Sequence, residues 1–104
     1  MNIRQQSATD SVFLDDEYLI KGEAGAILWA LLSDFVERGR TGFTNKGLRV
    51  DSRIPLPDVS DNLEARLVLL QCRLDERAVG IHLSKTGRGR FALCVERPLR
   101  LIER

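Results

Sequence analysis

The sequence predicts an α+β fold in which an N-terminal β-hairpin leads into three helices and a second β-hairpin follows them. Three observations predict it. Apolar residues recur at helical spacing over residues 23–37 and again over residues 63–74. Beyond Gly80 the apolar residues alternate on either side of the glycine-bearing turn KTGRGR, as strands do. The 104 residues, 43% hydrophobic and 30% charged, suffice for one core but would leave two halves each too small to fold alone.

Taken in order, residues 1–10 show no apolar period and are expected to be a flexible or extended lead-in to a domain spanning 11–104. Val12, Phe13 and Leu14, then Tyr18, Leu19 and Ile20, flank the acidic turn Asp15-Asp16-Glu17 and read as a short hairpin. In the first helix Ala24, Ile27, Leu28, Leu31, Leu32 and Phe35 form an inward stripe, and Gly39 supplies a C-terminal stop. Trp29, Ala30 and Val36 widen that stripe, so the helix should lie between other elements as the spine of the core.

The stretch after Gly39 has room for one short helix, with Thr44 as N-cap and Leu48 facing inward, and Gly47 weakens it. Pro55 and Pro57 then impose an extended loop. Asp61 with Glu64 resembles a capping box before the third helix, whose inward residues are Leu63, Leu67, Leu70 and Leu74. In the C-terminal hairpin Ile81 and Leu83 alternate with His82 and Ser84, and Phe91, Leu93 and Val95 with Ala92 and Cys94. Pro98 ends the second strand, and LRLIER can add a short edge segment.

Charge is unevenly distributed. Residues 1–37 carry a net −5 and the remaining 67 residues a net +6, an asymmetry that hints at an anionic partner such as nucleic acid. No apolar run is long enough to span a bilayer and the start lacks the apolar middle of a signal peptide, so a cytoplasmic protein without membrane contact is expected. Cys72 and Cys94 are too few and too far apart for a disulfide framework, and are expected to be buried reduced thiols.

The order of elements, the leucines of the third helix with Arg73 before the last of them, and the tip Lys85-Thr86-Gly87-Arg88-Gly89-Arg90-Phe91 together resemble the OmpR-like winged helix-turn-helix effector domain of bacterial response regulators. The resemblance covers about residues 12–95, and the family's phosphoacceptor domain has no counterpart in this sequence. It implies a transcription regulator that places its third helix in the major groove of duplex DNA and its wing on the phosphate backbone. Asn62, Arg66, Gln71 and Arg73 on the margins of the third helix, with Lys85, Arg88 and Arg90 on the wing, are then the DNA contacts. Arg66, Arg73, Lys85, Arg88 and Arg90 are expected along one surface.

One feature departs from the family. The outward face of the third helix is Ala65, Val68, Leu69 and Cys72, where the family commonly places basic or polar residues at the positions of Val68 and Leu69. Four apolar residues at that spacing favour another protein surface, so the alternative is an interaction or dimerisation module, with LRLIER or a second copy covering the face. No enzyme motif, metal set, cofactor loop or small-molecule substrate site is expected. His82 has no ligand partners at metal spacing, and Asp15, Asp16 and Glu17 read as a solvated turn.

Overall fold

A computed structural model describes residues 2–6, 8–15, 17–51, 54, 63–77 and 79–102, apart from the side chains of Glu64 and Ile102. Among these residues it shows three helices and two sheets. Of the two forms expected for the lead-in, flexible or extended, residues 2–6 take the extended one as a strand of the domain, β1 (Asn2–Gln6), whose Ile3 is completely buried. It lacks the alternation of a half-buried strand because only Ile3 faces the core, while Arg4 lies over the Phe13 ring. β1 pairs antiparallel with β2 (Ser11–Leu14), which forms the expected hairpin with β3 (Glu17–Ile20) through a turn where Asp15 has φ 49°.

β7 (Arg100–Ile102) pairs parallel with β1 and completes a four-stranded sheet in the order β3-β2-β1-β7. The described part of LRLIER is therefore an edge segment of this sheet, with Leu99 and Leu101 packed on the core. It does not cover the outward face of the third helix.

α1 (Gly22–Arg38) buries Ile27, Leu28, Leu31 and Leu32 and is the spine of the core, while Val36 at its end stays exposed. Gly39 stops it in the left-handed conformation, φ 68°, where its N–H reaches the Phe35 carbonyl and that of Arg40 reaches the Asp34 carbonyl. Gly25 lets α1 approach the β1–β2 turn: a methyl group there would sit 2.0 Å from the Asp10 carbonyl oxygen.

The second sheet has the order β4-β6-β5 and consists of β4 (Gly42–Thr44), β5 (Ile81–Gly87) and β6 (Arg90–Val95). Its inner face presents Phe43, Ile81, Phe91 and Leu93, and the Phe43 and Phe91 rings stack at 5.8 Å. α2 (Asn45–Arg49) buries Leu48 and is capped by the Thr44 hydroxyl, which accepts from the Gly47 N–H. α3 (Leu63–Arg77) turns Leu63, Leu70 and Leu74 into the core. The capping box, Asn62 and the two prolines lie outside the described residues.

Both cysteines are exposed, contrary to expectation. Cys72 sits on the outward face of α3, and Cys94 points away from the core between inward Leu93 and Val95.

Gly25→Ala should destabilise the protein by about 2 kcal/mol, because the clash with a backbone carbonyl outweighs the gain in helix propensity. The melting temperature is expected to fall by about 10 °C. Gly42→Ala, with open space at its methyl position, is the control and should leave it nearly unchanged.

Candidate nucleic-acid interface

The site is assembled where α2 meets the tip of the β5–β6 hairpin. Gly89, at φ 66°, closes the tip between Arg88 and Arg90. Its carbonyl accepts a 2.9 Å hydrogen bond from the Asn45 N–H at the start of α2, and Thr44 is paired with Arg90 across the β4–β6 ladder. The Leu93 N–H adds a 2.7 Å bond to the Thr41 carbonyl. These backbone links fix α2 against the tip.

The result is a broad concavity of about 720 Å³ lined by Lys46, Arg49, Arg88 and Arg90, with Thr44, Asn45 and Gly89 between them. All four cationic residues are exposed, as is nearby Lys85 on β5. No carboxylate is among the described residues that line it. Several cations around a concave surface concentrate positive potential and attract polyanions.

Of the sequence-predicted contacts, Lys85, Arg88 and Arg90 lie at this hairpin as expected. Lys46 and Arg49 join them. These two were missed because a five-residue, glycine-containing helix reads as structural. The signal was present as two cations three positions apart, on one side of a helical turn, just after a cap residue.

The expected contacts on α3 do not join this surface, which corrects the picture of five arginines and lysines along one side. Arg66 forms an ion pair with Glu23 at the start of α1. Arg73 donates a 2.7 Å hydrogen bond to the Leu19 carbonyl and pairs with Glu76 at 2.8 Å. Gln71 donates to Asp75 at 2.7 Å, and its carbonyl oxygen accepts from the Leu83 N–H at 2.6 Å. Arg66 and Arg73 thus face α1 and β3, whereas Gln71 faces β5.

The outward residues of α3 are as the periodicity suggests. Ala65 and Cys72 are exposed, and Val68 and Leu69 are 61% and 57% exposed, so no described part of the chain covers them. Val68 also borders a groove between α3 and β5–β6.

His82 stands between two carboxylates brought in by folding, 2.7 Å from Glu96 and 3.8 Å from Asp75. Among the described residues, no three His, Cys, Asp or Glu side chains are grouped so that they could hold a metal ion. Among those residues, no helix is long and apolar enough to cross a membrane.

No family model matches the chain, and no significant match is found among curated proteins or solved structures. What the protein does must therefore be read from the chemistry of its own surface.

The partners of Arg73 give it a structural role with a measurable consequence. Arg73→Ala should lower stability by about 1 kcal/mol, the scale of a charged hydrogen bond reduced by partial exposure. Its urea midpoint should fall, while any affinity for duplex DNA stays within about twofold of the parent, since a twofold change is only about 0.4 kcal/mol. A tenfold loss of DNA affinity with unchanged stability would return Arg73 to the interface.

Proposed function

We propose that the protein binds duplex DNA through its phosphate backbone, using the concavity between α2 and the hairpin tip, as a winged helix-turn-helix domain of the transcription-regulator type. The observation that carries this reading is the convergence of Lys46, Arg49, Arg88 and Arg90 on one concave surface without a carboxylate among its described lining residues. On this reading β5–β6 is the wing and α2–α3 the helix-turn-helix, and a cytoplasmic location follows from the partner.

Phosphate contacts of this kind position a protein on DNA without reading its sequence. The polar side chains of α3 that would read bases are engaged by the rest of the fold. Binding is therefore expected to depend weakly on sequence and strongly on salt.

Binding of a labelled random-sequence duplex, followed by fluorescence anisotropy across a salt series, tests the proposal. About four neutralised phosphates should give a log–log slope near −3.6. Changing Arg88 and Arg90 together to Ala should halve that slope to about −1.8 and weaken binding at every sequence tested. Absence of binding to any duplex at low salt would sink the reading.

A second reading is favoured by the exposure of Val68 and Leu69: association with another copy of the chain through the outward face of α3. Sedimentation should then show a concentration-dependent dimer, abolished by Leu69→Asp with the circular dichroism spectrum unchanged. A monomer at all accessible concentrations rules it out. The two readings are compatible, since many helix-turn-helix proteins bind DNA as dimers.

A further inference from the structure

Arg90 and Asn45 border two cavities at once. One is the cationic concavity; the other is a groove of about 180 Å³ between α3 and the β5–β6 hairpin. Its apolar surface comes from Leu67 and Val68 on α3 and from Leu83 and Phe91 on the hairpin. Lys85 and Arg90 bring two cations to it, the amides of Asn45 and Gln71 add neutral polar groups, and no carboxylate is among its described lining residues.

The groove is a consequence of the packing described above. Leu67 is only partly buried and lines the groove, and one turn on, the Gln71 side chain bridges to the Leu83 N–H. Phe91 is fixed by its stack on Phe43, so the aromatic wall cannot easily collapse inward. Lys85 is the cross-strand neighbour of Phe91, which places a cation beside the ring that walls the groove.

Size and chemistry together specify an occupant. A cavity of about 150 Å³ with aliphatic and aromatic walls accepts a benzene ring, so this groove has room for one such ring. Charge complementarity asks for a single anionic head that two neighbouring cations can share, and binding sites commonly join apolar walls to a few convergent polar groups in this way. A free phosphate or acetate would leave the apolar walls unused. A neutral hydrocarbon would leave the cations unmatched.

We propose that this groove is a ligand site for small aromatic carboxylates, taking the ring between Val68 and Phe91 and the carboxylate on Lys85 and Arg90. The walls are supplied by elements whose relative position the fold fixes, so the site exists before the ligand arrives. Binding needs no nucleic acid.

The test is a ¹⁵N–¹H NMR titration of the full chain with 3-phenylpropionate, alongside 3-phenylpropanol and acetate as the two half-ligands. Phenylpropionate should give saturable shifts centred on the amides of Val68, Leu83 and Phe91, with each half-ligand at least about tenfold weaker. Lys85→Ala should reduce the preference for phenylpropionate over phenylpropanol, and changing Lys85 and Arg90 together to Ala should erase it. Val68→Asp, on an exposed helix position that leaves the fold intact, should abolish binding. Absence of saturable shifts from phenylpropionate overturns the proposal. Equal binding of acetate reduces the site to a cation patch, and equal binding of phenylpropanol to an apolar crevice; either result overturns it. If the same amides are instead protected in the ligand-free chain as it dimerises, the groove belongs to a second copy and the ligand site is refuted.

Discussion

A single helix closes one edge of each sheet, β3 in the first and β5 in the second. Strand edges present unpaired backbone groups, and here α3 answers them with side chains instead of another strand. On one flank Arg73 and Arg77 donate to the carbonyls of Leu19 and Tyr18 along β3, at 2.7 and 2.9 Å. On the other, the Gln71 side chain accepts from the Leu83 N–H of β5. Between these flanks Leu63, Leu70 and Leu74 enter the core beside α1. The two sheets do not pair with each other through backbone hydrogen bonds among the described strands, so α3 and the core it shares with α1 hold them together.

That constraint decides which residues remain for a partner. A helix of 15 residues makes only about four turns: on α3 the core takes one side, the two sheet edges take the flanks, and among the described side chains Ala65, Val68, Leu69, Cys72, Asp75 and Glu76 are left exposed. Arg66, Gln71 and Arg73 have the chemistry to contact bases, yet each is oriented by a partner inside the fold. The cations that line a concave surface together are on the hairpin tip and α2, where the backbone bond from Asn45 to Gly89 gathers them. Four cations of the positively charged part of the chain thus gather on a surface that α3 does not supply.

Much of the fold was legible because its signals are local. The stripe of α1, the stop at Gly39, the Thr44 cap and the alternation of β5 and β6 each depend on residues a few positions apart. What was not legible depends on distant pairing. β1 becomes a strand by lying between β2 and β7, although its own sequence is polar apart from Ile3. Cys72 and Cys94 look like core thiols by type, but their positions in the helical and strand periods turn them outward. The site divides in the same way: Lys85, Arg88 and Arg90 form a visible run, whereas their meeting with Lys46 and Arg49 is a tertiary event spanning some forty residues of sequence.

The apolar outward face of α3 and the cationic concavity meet at the groove that Val68 and Arg90 share. Neither would be notable alone, since single exposed apolar residues and solvated cations are common on protein surfaces. Their adjacency is less easily neutral. An exposed valine or leucine is tolerated wherever water is its only neighbour, but beside a lysine and an arginine it creates a surface that rewards an amphiphile: an apolar body with negative charge at one end. Duplex DNA satisfies the cations and leaves the apolar face largely unmatched; a second copy of α3 covers the apolar face and leaves the cations in water. The surface as a whole is therefore better described by two adjoining contacts than by one partner stretched over both.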